Sequence, residues 1–146
     1  MADDYSSLKL ENQLCFPLYA AAKEVVKKYR PILEELDLTY TQYIAMMVLW
    51  EEKQISVKEL GEKLFLDSGT LTPLLKSMET KGFVTRHRSE EDERVLIVGI
   101  TDKGENLRKK ALSVPVRMGG CIKLSKEEAV QLYSLLYKVI GSVEDK

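Results

Sequence analysis

The chain has 146 residues, 22 Lys and Arg against 23 Asp and Glu, and a formal net charge of −1. An apolar fraction of 45% and a charged fraction of 31% suit one ordinary globular domain with one core. This balance excludes a polycation that coats nucleic acid by charge alone, so any such face has to be built locally. No run reaches the roughly 18 apolar residues of a membrane span, and the polar start MADDYSSLKLEN is no signal peptide. A cytoplasmic chain without membrane contact is expected.

Residues from about Ser7 to Leu36 predict a long helix, with Leu14, Leu18, Ala21, Ala22, Val25 and Tyr29 at helical spacing. Pro17 either kinks it or resets its first turn, because proline cannot donate to the carbonyl of Gln13. Thr39-Tyr40-Thr41-Gln42 is a reciprocal capping box that opens a second helix. Its body, Tyr43 to Trp50 (YIAMMVLW), is apolar all round and suits burial on every side. Ser56-Val57-Lys58-Glu59 is another box, opening a short helix with Val57, Leu60 and Leu64 on one face. After the turn Phe65-Leu66, Asp67 offers its carboxylate to the first turn of a helix whose buried stripe is Leu71, Leu74, Leu75 and Met78. Gly82 fits the stop of that helix.

The period then changes from helical to alternating. Phe83 to Arg88 and Arg94 to Ile100 are β-rich runs around the charged loop Ser89 to Glu93, a hairpin. Thr101 starts the helix TDKGENLRKKAL, which loosens at Pro115 and ends by Gly119-Gly120. A third box, Ser125 to Glu128, opens a last helix with Gly141 as its stop. There Ala129, Leu132, Leu135, Leu136, Val139 and Ile140 form a stripe widened by Val130, Tyr133 and Tyr137. That stripe suits a dimer interface, and a helix packed on its own core would carry the same pattern.

Ser56 to Gly82 has the spacing of a helix-turn-helix, and the hairpin makes it winged. The outer face of the second helix carries Gly69, Thr72, Pro73 and Lys76, with Ser68 and Thr70 at its N-terminal end. Hydroxyls, a glycine permitting close approach, a ring for a thymine methyl and a lysine for phosphate suit a DNA groove. Arg86, Arg88 and Arg94 flank the wing, and Asp92 could hold Arg94 ready for a minor groove. Plain helix packing and solvated arginines would produce the same pattern. Cys15 and Cys121 lie far apart and, with one histidine (His87), supply no convincing zinc site. Cys15 and Tyr19 share a helix face at i, i+4. On these residues alone, Cys15 is either a small buried hydrophobe or a thiol placed to react.

The run LFLDSGTLTPLLKSMETKGFVTRHRSEEDERVLIVGITDKG resembles the winged helix-turn-helix core of the MarR family of bacterial transcription regulators. DSGTLTPLLK, CFPLY and LTYTQY resemble one branch of it, the organic hydroperoxide resistance regulators and their staphylococcal relatives. The similarity runs from about Leu8 to Gly119. It implies a mainly α fold with a small β-hairpin wing. A winged helix-turn-helix would occupy 39–100, with a helical dimerisation region over 7–36 and 101–144. It implies a homodimer on a palindromic operator in double-stranded DNA, with no cofactor and no metal, and a regulator rather than an enzyme.

Residue by residue, the resemblance assigns DNA contacts to Ser68, Thr70, Thr72 and Lys76 and the wing-tip pair to Asp92 and Arg94. It makes Cys15 a sensor oxidised by organic hydroperoxides, with Tyr29 and Tyr40 hydrogen-bonded to it and Tyr19 beside it. Only a thiolate attacks a peroxide, and phenol O–H groups aimed at sulfur stabilise that charge. Cys121 would then end the oxidation as an inter-subunit disulfide, unless a small thiol does so. The expected function is a repressor that releases its operator when Cys15 is oxidised. The alternative is release by a small phenolic ligand, with Cys15 serving only as packing.

Overall fold

The computed structural model describes residues 4–144. Two short 3-10 turns, Ser6–Leu8 and Leu10–Asn12, precede helix α1 (Cys15–Glu34). The helix therefore begins later than the periodicity from Ser7 suggests. Polar side chains compete for the backbone there: Asn12 Nδ2 donates to the Ser6 carbonyl (2.7 Å), and Gln13 Nε2 to those of Ser7 and Lys9 (both 2.8 Å). Pro17 is the third residue of α1, where an N–H would have no intrahelical acceptor, so it resets the first turn without breaking the helix.

Helix α2 (Tyr40–Glu52) starts with the complete box. Thr39 Oγ1 accepts from the Gln42 N–H, and Gln42 Oε1 accepts from the Thr39 N–H (3.3 and 3.2 Å). Strand β1 (Gln54–Ser56), not foreseen from the sequence, leads into α3 (Val57–Leu64), capped by Ser56 Oγ. Phe65 takes a left-handed conformation (φ 57°) to make the turn, and Asp67 caps α4 (Ser68–Thr80). Gly82 (φ +85°) stops α4 as expected. Strands β2 (Val84–Arg88) and β3 (Leu96–Ile100) pair antiparallel, Val84 opposite Ile100 and Arg88 opposite Leu96. β3 is central, because β1 pairs on its other edge.

Thr101 caps α5 (Asp102–Ala111), which breaks at Leu112 before α6 (Ser113–Gly119). Pro115 causes the break, since it has no N–H for the Ala111 carbonyl. The Ser125–Glu128 box forms in full and opens α7 (Lys126–Val143), whereas at α3 only the Ser56 half of the expected box forms. α7 continues through Gly141, which is therefore not its stop; glycine lowers helix stability by about 1 kcal/mol but does not force an end.

The core gathers around α2, which buries Gln42, Tyr43, Ala45, Met46, Leu49 and Trp50. Leu33, Leu60, Leu71, Leu75, Met78, Val84, Val98 and Val114 reach it from α1, α3, α4, the sheet and α6. In contrast, α7 has no buried residue and α1 buries only Ile32 and Leu33 near its end. The crossing of α5 over the core is close. A Cβ on Gly104 would meet the Phe83 carbonyl oxygen, with Ile100 Cγ1 at 2.9 Å. The Gly104 carbonyl also accepts from Trp50 Nε1 (2.9 Å).

Gly104→Ala should therefore overpack this crossing and destabilise the fold by about 1–3 kcal/mol. Thermal denaturation should show a midpoint lower by several degrees. An unchanged midpoint would mean that α5 can move aside freely.

Candidate nucleic-acid interface and sensor thiol

α4 separates its residues as a reading helix needs. Leu71, Leu74, Leu75 and Met78 are buried, whereas Ser68, Gly69, Thr70, Thr72, Pro73 and Lys76 are all exposed. The first turn is fixed by Asp67, whose Oδ1 accepts the Thr70 N–H at 2.8 Å. That hydrogen bond holds the Asp67 carboxyl below the usual carboxylate range. The hydroxyls of Ser68 and Thr70 thus stand on a rigid, solvent-facing helix end. Against α3, the approach is tight: a Cβ on Gly61 would lie 2.8 Å from the Leu66 carbonyl oxygen and 3.3 Å from Leu71 Cδ2.

At the wing tip, Arg94 Nε and Nη2 bind Asp92 Oδ1 and Oδ2 at 3.0 and 3.1 Å, and the Arg94 N–H adds a third bond to Oδ1 at 3.0 Å. The Arg94 guanidinium is the main cause that keeps the Asp92 carboxyl low. The Arg94 side chain remains 87% exposed, so it is oriented without being withdrawn from solvent. Arg86 is placed differently from the sequence expectation. Its Nη2 binds Glu79 Oε1 (3.2 Å), its backbone N–H binds Glu79 Oε2 (3.1 Å), and its side chain is only 21% exposed. It braces the wing against α4 instead of reaching outward. Arg88 is exposed and is the second outward cation of the wing.

The thiols and the tyrosines are not one cluster within the chain. Cys15, the first residue of α1, is exposed, and so is Tyr19 one turn on. Tyr29, Tyr40 and Tyr43 form a separate aromatic group with ring centroids 4.8, 5.9 and 6.3 Å apart. Tyr29 lies about 21 Å along the helix from Cys15, taking about 1.5 Å per residue. Burial pushes all three phenols up, with neighbouring phenols adding to the shift at Tyr29 and Tyr43. They stay protonated and can donate O–H bonds to an anion.

Cys121 is also exposed, one turn beyond Arg117, whose carbonyl it meets at 3.5 Å. Arg117 pairs with Glu35 at the far end of α1 (2.8 Å). About 30 Å of helix separates Glu35 from Cys15. The two thiols of one chain are thus well beyond the roughly 7 Å between Cα atoms that a disulfide tolerates.

Sequence reasoning missed Tyr43 as a member of the aromatic group, the Glu79–Arg86 brace, and the bonding of Gln42 beyond its cap. The capping motif had already singled out Gln42. No local pattern announces its partners, Ser77 and Lys81.

Residues 27–111 match the model of the family described as transcriptional regulator SarA/Rot. The organic hydroperoxide resistance transcriptional regulator of Bacillus subtilis is 47% identical over 146 residues, covering 100% of this chain and 99% of that one. Among solved structures, reduced AbfR bound to DNA has a TM-score of 0.81 at 29% identity, covering 95% of both chains. AbfR, from Staphylococcus epidermidis, is also similar in its disulfide-formed state, with a TM-score of 0.69, 31% identity and coverage of 94% and 93%.

The charged cap on α4 yields a pH dependence. Because folding lowers the pKa of Asp67, its contribution to stability is complete above the ordinary value of 3.8 and is lost as pH falls through the lowered value. The thermal deficit of Asp67→Ala should therefore be largest at neutral pH and narrow in acid. A deficit that stays constant with pH would exclude a role for the charge.

Proposed function

Because the chain belongs to the SarA/Rot family of MarR-type winged-helix transcriptional regulators, we propose that it is a repressor that senses organic hydroperoxides through Cys15 and then leaves its operator. One observation carries this reading: an exposed thiol opens α1 in the same chain as a capped, outward-facing α4. The full-length similarity to an organic hydroperoxide resistance regulator supports it.

In this reading, residues 39–100 read DNA, and 7–36 with 101–144 hold two copies of the chain together. The exposed apolar surface of α7, with Val130, Leu132, Tyr133, Leu135, Tyr137 and Val139, supports a covering partner, since monomers rarely leave such faces bare. Two α4 helices, about one DNA turn (~34–36 Å) apart, then match a palindrome. Ser68, Thr70, Thr72 and Lys76 contact the major groove, Gly69 permits close approach, and Pro73 meets a thymine methyl. Asp92 aims Arg94 into the neighbouring minor groove.

Sensing is a joint act of two subunits. Cys15 is a helix length from the phenols of its own chain, so the Tyr29–Tyr40 pair that holds its thiolate belongs to the second copy. The thiolate attacks the terminal oxygen of the hydroperoxide, the O–O bond breaks, the alkoxide takes a proton from water and leaves as an alcohol, and Cys15 becomes a sulfenic acid. The Cys121 thiol of the other subunit then displaces water and forms a disulfide. Each Cys15–Cys121 pair consumes one peroxide, which makes the reaction a switch and not an enzyme cycle. Loss of the anionic acceptor releases the phenols, and the reading heads lose their operator spacing.

Fluorescence anisotropy on a duplex from upstream of the gene provides the test, with and without one equivalent of cumene hydroperoxide. Reduced wild type should bind and be released on oxidation. Cys15→Ser should bind and stay bound, and its release by peroxide would remove Cys15 as the sensor. Cys121→Ser should abolish the reductant-sensitive covalent dimer on a non-reducing gel; a persisting band would exclude this pairing. Arg94→Ala should weaken binding roughly 5- to 150-fold. Arg86→Ala should leave the salt dependence of binding unchanged, whereas a shallower slope would make Arg86 a phosphate contact.

A further inference from the structure

We propose that Gln42 is a positioning residue that transmits the state of the tyrosine group to the recognition helix α4; the inference rests on the sensing reading above. Gln42 is 4% exposed and is the buried polar residue of the core among the described residues. It lies on the first turn of α2, two residues after Tyr40 and one before Tyr43. Both polar atoms of its amide are engaged. Oε1 accepts from the Thr39 N–H (3.2 Å) and from Lys81 Nζ (2.9 Å), and Nε2 donates to Ser77 Oγ (3.1 Å). Lys81 Nζ also donates to the Asp37 carbonyl (2.7 Å).

One side chain thus joins the α1–α2 connection, the base on which Tyr40 stands and the last turn of α4. Apolar contacts between α2 and α4 would let the helices slide more easily, because the hydrophobic effect is non-directional. A buried amide does not, because a donor or acceptor left unpaired loses the whole of its desolvation. Glu79 on the same turn of α4 grips Arg86, so the end of α4 carries the wing with it. A displacement of Tyr40 rotates the first turn of α2, and Gln42 passes the movement to Ser77 and Lys81.

The test compares operator Kd before and after oxidation in full-length wild type, Gln42→Met and Gln42→Glu. Methionine keeps the length and removes the hydrogen bonds. A carboxylate can still accept from Thr39, Lys81 and the Ser77 hydroxyl. The oxidised-to-reduced Kd ratio should fall by about tenfold or more in Gln42→Met and be retained in Gln42→Glu. Thiol titration should show Cys15 oxidised to the same extent in all three. Amide hydrogen exchange over residues 74–82, measured without DNA, provides a second readout. It should change on oxidation in wild type and not in Gln42→Met, and it decides the matter if that variant binds no operator when reduced. A Kd ratio in Gln42→Met equal to that of wild type would overturn the role of Gln42, as would an oxidation-induced exchange change equal to that of wild type or no such change in wild type. Wild type that stays on DNA after oxidation would instead overturn the sensing reading itself.

Discussion

The core of this molecule is organised by the burial of α2. Its apolar body draws α1, α3, α4, the sheet and α5 around it, although not on every side as the sequence suggests, since Met47 stays 45% exposed. Met46 and Leu49 are wholly buried, in sites where truncation to alanine costs about 2–5 kcal/mol. Polar groups fix what apolar packing leaves free. Trp50 donates to Gly104 at one end, and Gln42 bonds to Ser77 and Lys81 at the other. α2 is therefore anchored to α4 at its start and to α5 towards its finish.

This arrangement shows how a chain of net charge −1 would present the proposed DNA-reading face. The charge is organised locally. Asp92 orients Arg94 without burying it, and Arg88 is exposed on the same wing. Glu79 neutralises Arg86 and converts it into a strut between wing and α4. The resulting surface relies on hydroxyls and a fixed helix end more than on charge, which suits base reading better than indiscriminate phosphate binding.

What was legible in the sequence was local. The Thr39 and Ser125 boxes, the Asp67 and Thr101 caps, the Gly82 stop and the hairpin all depend on neighbours a few residues apart, and all formed. Competing local chemistry defeated the start of α1, where Asn12 and Gln13 side chains hold the backbone in 3-10 turns. β1 was too short to show an alternation, and its pairing depends on β3, far along the chain. Arg86 looked exposed in a period-two pattern, because nothing in that pattern reveals a glutamate on the preceding helix. The bonds from Gln42 to Ser77 and Lys81 span 35 and 39 positions, beyond the reach of any spacing rule. The stripe on α7 could be read, but not what covers it.

The separation of Cys15 from the tyrosine group has an energetic consequence for the proposed dimer. If the thiolate is held by phenols of the other copy, each subunit's chemistry acts on its partner's α2, and the signal has to cross the interface before it reaches DNA. Hydrogen bonds to a charged group are worth about 1.5–3 kcal/mol each, while a tenfold change in affinity requires about 1.4 kcal/mol. Losing two such bonds at a site is enough to change operator affinity by about one to two orders of magnitude, even if the core absorbs half of the energy. The limiting element is then not the strength of the chemical event but the stiffness of the link between α2 and α4, where a buried amide resists sliding and an apolar contact does not.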